Sequence, residues 1–254
     1  MPEPILFYDI PTKYAHQKAW SPNTWKTRLC LNFKGLPYKT LWVEYPDIEA
    51  VSRSLGLSPT GTKPDGSPKY TLPAIYDPNT KTAVVDSAAI ARYLDKTYPD
   101  TPRLIPYETD ALHAAFEHVF IPTFLPDIIK IVAVPTTESL TPRSEAYFRA
   151  AHDITDPGPK REEHWKGFKE ALHTFAQWLD ADGTGNRRFF LGDKIGYADI
   201  TLAAFLLWIR IVLGADSKEW KDIRTWDDGR WARFIDAFAE YEAVDEGEGI
   251  VDHD

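Results

Sequence analysis

The chain is almost without cysteine: among 254 residues only Cys30 occurs. One thiol excludes an intramolecular disulfide and any cysteine-based zinc cluster. Seven histidines are present, but His113 and His118 stand five apart and His164 and His173 nine apart. Those spacings match no common ligand pattern, so no metal is expected. Neither a P-loop nor a GxGxxG occurs. Basic residues are outnumbered, 29 Lys and Arg against 38 Asp and Glu, for a net charge of −9. Without a basic stripe to release counterions, nucleic acid is not an expected partner. Long apolar runs are missing too. The most apolar, Ile200 to Leu213, is interrupted by Arg210 and falls short of the roughly 20 residues of a membrane span, so a buried core helix is expected there. The first residues, Met1-Pro2-Glu3-Pro4-Ile5, carry neither the basic nor the apolar stretch of a secretory signal. These absences predict a soluble protein of a reducing, cytoplasmic compartment with no membrane partner.

What is present is apolar and aromatic. Hydrophobic residues make up 43% of the chain and aromatic ones 13%, with nine Trp and thirteen Phe. Side chains of that size fill either a core or a greasy ligand cleft.

The order of patterns divides the chain. Ile5 to Tyr8 reads as a buried strand, Thr24 to Asn32 as a helix stopped at Lys34-Gly35-Leu36-Pro37, and Tyr38 to Tyr45 as an alternating strand. A helical patch around Ile48 to Leu55 leads into a Pro-, Gly- and Lys-rich loop up to Lys69. Leu72 to Tyr76 and Thr82 to Val85 are short strands across an Asp77-Pro78-Asn79-Thr80 turn, followed by a helix from Ser87 to Tyr98. βαβ followed by ββα is the order of the thioredoxin-like fold. Three prolines between Pro99 and Pro106 mark a linker. Beyond it only helical periodicity is found, clearest at Trp165, Phe168, Leu172, Phe175 and Leu179. Pro122 and Pro126 are expected to kink or break a helix carrying Phe116 and Phe120. The acidic tail, Asp245 to Asp254, is expected to fray. The fold class is thus α+β, with a thioredoxin-like α/β domain over 1–99 and an all-α domain over 107–254.

Three segments place a polar group or a proline where a strand or loop meets a helix, and such junctions offer backbone N–H groups to anions. They are Trp20-Ser21-Pro22-Asn23-Thr24-Trp25, Tyr70-Thr71-Leu72-Pro73-Ala74-Ile75 and Val84-Val85-Asp86-Ser87-Ala88-Ala89-Ile90. Each also has a plain structural reading: helix caps at Ser21 and Asp86, and an edge-strand proline at Pro73. Asp199, three residues after Gly196, is expected to be structural in the apolar helix that follows, and Cys30 to be a core residue.

In order and spacing, these segments resemble the glutathione-binding half of a glutathione transferase. Trp20 to Arg28 and Leu36-Pro37-Tyr38-Lys39-Thr40 look like the fungal-specific seryl class related to bacterial lignin β-etherases. The resemblance implies a cytosolic, homodimeric transferase that takes glutathione as cosubstrate and accommodates bulky aromatic compounds, in the way of a detoxification enzyme. It implies a cis Leu72-Pro73, with Thr71, Leu72 and Pro73 along the cysteinyl part of glutathione. Asp86 would accept from the ammonium of the γ-glutamyl end and Ser87 would hold its carboxylate. Lys69 or Thr71 would hold the glycyl end. Ser21 would donate to the sulfur, with Asn23 and Thr24 as alternatives. Tyr8, Trp20, Phe120 and Phe124 would line the electrophile site between the domains. Conjugation, ether cleavage and peroxide reduction remain open. Two other classes compete: a non-catalytic ligandin for aromatic compounds, and an interaction module that does not bind glutathione.

Overall fold

The computed structural model describes residues 3–185 and 187–250. The chain begins with β1 (Ile5–Asp9), α1 (Pro22–Lys34) and β2 (Tyr38–Trp42). β1 and β2 run parallel, Ile5 opposite Tyr38 and Asp9 opposite Trp42, so α1 is the crossover that parallel strands require. Pro22 is preset for the first helical turn. Gly35, at φ 64°, ends the helix by turning its N–H back to the Asn32 carbonyl. Leu29, Cys30 and Leu31 on α1 are fully buried. Burial pushes the Cys30 thiol well above its ordinary range, so this cysteine is a core residue.

After α2 (Ile48–Ser54), a small hairpin of β3 (Gly61–Thr62) and β4 (Pro68–Lys69) stands inside the stretch expected to be loop. β5 (Ala74–Asp77) and β6 (Thr82–Val85) pair antiparallel and lead into α3 (Ser87–Thr97). Two strands are shorter than the sequence pattern suggests. β2 stops at Trp42 because Pro46 draws Tyr45–Asp47 into a 3-10 turn. β5 starts at Ala74 because Pro73 has no N–H to give to a ladder.

The helical part comprises α4 (Asp110–Ser139), α5 (Pro142–Ala151), α6 (Arg161–Leu179), α7 (Tyr197–Leu213) and α8 (Lys218–Asp236). α8 is interrupted at Trp226 to Gly229, where the backbone leaves helical geometry. α7 is the buried core helix expected from its apolar run, with Ile200, Leu202, Leu206 and Leu207 fully covered. Pro122 and Pro126 do not break α4: it continues for 30 residues through Pro122, Pro126 and Pro135. Pro122 and Pro126 lie on its exposed side, where carbonyls freed by the missing N–H groups face water. By length and composition α4 would also cross a membrane. Here Phe120, Phe124, Ile128 and Val132 bury its inner face among aromatic rings of α6 and α7.

The acidic tail does not fray over its described part. β7 (Glu248–Ile250) lies parallel to β2 and completes a five-stranded sheet of order β6-β5-β1-β2-β7. The cause is Arg28, a fully buried guanidinium on α1 that bonds Asp9 at 2.8 Å and Asp245 at 3.2 Å. It also stacks 4.9 Å from the Phe7 ring centroid. The Asp245 carboxylate accepts from the Thr40 N–H at 2.7 Å, and Lys39 pairs with Glu248. The tail's negative charge is what the buried arginine and β2 attract. Residues 251–254 of the tail lie outside the described residues.

Candidate functional site

The strand register brings the three junction segments to one end of the sheet. Tyr8, near the C-terminal end of β1, sits opposite Ala74, the first residue of β5, and Ala74 sits opposite Val85, the last of β6. The loop to Ser21, the Leu72-Pro73 pair and the start of α3 therefore share an edge. Leu72-Pro73 is cis. The Asp86 N–H donates to the Pro73 carbonyl at 3.2 Å, which joins two of the segments directly.

At the start of α3, the Asp86 carboxylate accepts from the N–H groups of Ala88 and Ala89, each at 3.0 Å and each through the same oxygen. Its second oxygen accepts no hydrogen bond among the described residues, so Asp86 caps the helix through one oxygen. Asp86 holds φ 81°, a region non-glycine residues seldom enter, and strain of this kind concentrates at functional sites. Ser87 follows, buried within the first helical turn. The Tyr197 hydroxyl reaches toward it from the first turn of α7. That hydroxyl is buried and has no hydrogen-bond partner among the described residues.

At the start of α1, Ser21 has the extended backbone of a cap, yet its side chain makes no capping bond. Its hydroxyl remains available at a helix N-terminus. Asn23, two residues on, is exposed. Thr24 is turned away: its hydroxyl donates to the Ser21 carbonyl at 3.1 Å and its side chain is fully buried near Asp9. This leaves Ser21 and Asn23 as side-chain donors. Thr71 is half-buried and shares a 2.8 Å hydrogen bond with Thr60. Lys69 is exposed on β4, close enough to α5 that, after burial, its charge is the further cause lowering His152.

The four aromatic residues expected in the cleft are placed differently. Phe120 and Phe124 stack at 5.2 Å and contact Phe175 and Phe205 in the interior of the helical domain. With 1% and 0% exposure they are core residues and do not face a ligand. Spacing of four along a helix serves a core stripe as well as a cleft wall, and here the core takes both. Tyr8 and Trp20 lie at the correct end of the sheet but are also buried. Burial pushes the Tyr8 phenol above its ordinary range, with the nearby Tyr76 acting in the same direction.

Two residues of the neighbourhood carry no sequence signal. Lys26, half-buried on α1, stands 6.0 Å from the Phe205 ring centroid. Burial lowers its ammonium, while the carboxylates of Glu117 and Asp86 pull it back up. Glu117, on α4, is pushed up by burial and held down chiefly by Lys26. A charge from each domain thus stands beside Asp86. Nothing in the helical pattern distinguishes these two from solvated surface residues. Among the described residues no group of His, Cys, Asp and Glu is arranged to hold a metal.

Comparison with known proteins matches both halves of the chain. Residues 20–97 match the glutathione S-transferase N-terminal domain, and residues 111–241 match the glutathione S-transferase C-terminal domain. A glutathione S-transferase of Ceriporiopsis subvermispora, solved in complex with glutathione, is 50% identical over 96% of this chain and 99% of its own, with a TM-score of 0.90. Glutathione transferase GSTFuA3 from Phanerochaete chrysosporium is 46% identical over 96% of this chain and 100% of its own, also at 0.90. A glutathione S-transferase-like protein of Aspergillus flavus is 34% identical over 90% of this chain and 87% of its own. With a thioredoxin-like domain followed by an all-α domain, and both halves matched, the chain belongs to the glutathione S-transferase family.

Proposed function

We propose that this transferase binds glutathione across the shared edge of its sheet and activates it as a thiolate through Ser21. The observation that carries the reading is the joined unit of Pro73 and Asp86, at the same end of the sheet as a Ser21 whose side chain makes no capping bond. Glutathione is also the ligand of the Ceriporiopsis relative. In this reading Leu72 and Pro73 pair with the cysteinyl backbone. The free oxygen of Asp86 accepts from the γ-glutamyl ammonium, and Ser87 with the N-terminus of α3 holds the carboxylate. Lys69 or Thr71 takes the glycyl end.

A serine hydroxyl is too weak an acid to act as a base, so Ser21 serves as a donor to sulfur. Lowering a thiol from about 8.5 to about 6.5 requires roughly 2.7 kcal/mol of preferential thiolate stabilisation. One charge-assisted hydrogen bond supplies roughly 1.5–3 kcal/mol and a helix N-terminus about 0.3–1 kcal/mol. The two together suffice. The thiolate then attacks a hydrophobic aromatic electrophile. That substrate class rests on the resemblance to the seryl class, since Phe120 and Phe124 belong to the core. A cytoplasmic homodimer completes the reading.

Calorimetric titration with reduced glutathione, repeated with an aromatic competitor present, tests it. Saturable binding that survives the competitor supports two subsites in one cleft. Failure to bind glutathione, or binding only by displacement of the competitor, would favour a ligandin or an interaction module.

A further inference from the structure

On a chain of net charge −9, four arginines surround one hollow. A cavity of about 510 Å³ in the helical domain is lined by Arg187, Arg188, Arg230, Arg233, Phe234 and Asp236, with Gly185 beside them. Two of these guanidinium groups are anchored. Arg230 grips Asp180 at 2.6 and 2.8 Å and donates to the Arg187 carbonyl at 3.0 Å. Arg187 pairs with Asp182 at 2.6 Å. The lining carboxylate, Asp236, is already occupied by Arg224 through two bonds of 2.8 and 2.9 Å. Arg188 and Arg233 have no ion pair among the described residues. Arg233 lends one N–H to the Asp228 carbonyl at 2.8 Å, and Arg188 stacks 5.2 Å from the Phe189 ring centroid. Two uncompensated positive charges therefore stand on a frame fixed by three salt bridges.

The hollow borders a second cavity of about 990 Å³ that shares Arg188 and Asp236 with it. Rings of Phe33, Tyr107, Phe189 and Tyr241 line this larger space, with the Arg103 guanidinium stacked 3.5 Å over Tyr107. Asp193, Lys194 and Glu240 also line it. Neither cavity is lined by Ser21, Pro73, Asp86 or Ser87. Phe33 stands twelve residues beyond Ser21 along α1, about 18 Å of helix.

We propose that the two cavities form one binding site for an organic oxyanion, a sulfate or phosphate ester with an aromatic body. The charged head is held by Arg188 and Arg233, whose planar forks match such oxygens. The body lies against Phe189 and Tyr241. The site is independent of the glutathione reading and stands whether or not Ser21 activates a thiol.

Calorimetric titration of the full chain with naphthyl phosphate, naphthyl sulfate, naphthol and inorganic phosphate, in saturating glutathione, tests the proposal. At least one ester is expected to bind about tenfold tighter than naphthol or inorganic phosphate, and the stronger ester identifies the preferred head group. The double substitution Arg188→Gln and Arg233→Gln is expected to weaken that ester at least tenfold, with glutathione affinity unchanged. If the double variant fails to fold, Arg188→Gln alone, at an exposed position without an ion pair, is expected to weaken it several-fold. The proposal is overturned if neither ester binds, if naphthol binds as tightly, if inorganic phosphate alone binds as tightly, or if the variant retains wild-type affinity.

Discussion

The N–H of Asp86 donates to the carbonyl of Pro73 at 3.2 Å, so the residue that caps α3 is also tied to the residue just before β5. A ligand lying along Pro73 therefore meets the N-terminus of α3 without any rearrangement of the chain. Capping and the ammonium contact proposed for Asp86 are separable, because one carboxylate oxygen accepts both capping bonds.

Asp86→Asn keeps a capping acceptor and removes the charge, whereas Asp86→Ala removes both. Both are expected to weaken glutathione about 10- to 100-fold, the loss of one charge-assisted hydrogen bond. Only the alanine variant should also lose about 1 kcal/mol of stability in urea unfolding. Wild-type glutathione affinity in Asp86→Asn would confine this residue to capping.

Ser21→Ala is expected to raise the thiol pKa of bound glutathione by about 1–2, read from ultraviolet thiolate absorbance against pH. Asn23→Ala serves as the comparison. A shift in the Asn23 variant and none in the Ser21 variant would move the donor role to Asn23.

Burial pushes the Asp199 carboxyl up to about 7, against the pull of backbone N–H donors from Phe190 at 2.8 Å and Gly196 at 2.9 Å. The folded state then holds a proton that the unfolded chain releases near 3.8. Stability contributed by this proton is complete below about 3.8 and is lost as pH rises toward about 7, by at most about 4 kcal/mol. Urea midpoints across that window should show this slope in the wild type and a flatter one in Asp199→Asn. Equal slopes would exclude Asp199 as the titrating group.

Asp245→Ala removes an acceptor from the buried Arg28 and another from the Thr40 N–H. It is expected to cost about 1–3 kcal/mol, measured by urea unfolding. Arg28→Met, which leaves the buried Asp9 without its cation, is expected to cost about 3–5 kcal/mol. A stability change below about 0.5 kcal/mol in Asp245→Ala would show that the tail is not held by this bond.

Most of the architecture was legible because it depends on local pattern. The 3–4 spacing of Phe168, Leu172, Phe175 and Leu179 describes the buried face of α6. The Asp77-Pro78-Asn79-Thr80 turn separates β5 from β6 as expected. The tail strand was not legible. Its pairing joins residues more than 200 positions apart, and Glu248 suggests a solvated end. The β3–β4 hairpin is only two residues on each side, too short to show a period. At the candidate site, Ser21 and Asp86 stand out in the sequence because their residue types suit helix starts, and Pro73 because it precedes a short strand. Lys26 and Glu117 gain meaning only once the fold brings their charges within electrostatic reach of each other and of Asp86. Phe120 and Phe124 were legible as large apolar side chains, but their direction was decided by α6 and α7.

β7 gives the molecule an order of assembly during synthesis. The first four strands of the five-stranded sheet, β1, β2, β5 and β6, are complete before any helix of the second domain has been made. The strand that closes the sheet beside β2 arrives almost last, with Glu248 to Ile250. Until then β2 is an open edge, a template for foreign strands, and Arg28 has Asp9 but not Asp245. A nascent chain stalled anywhere between the two domains would carry a sheet that looks finished by its own local sequence and is not.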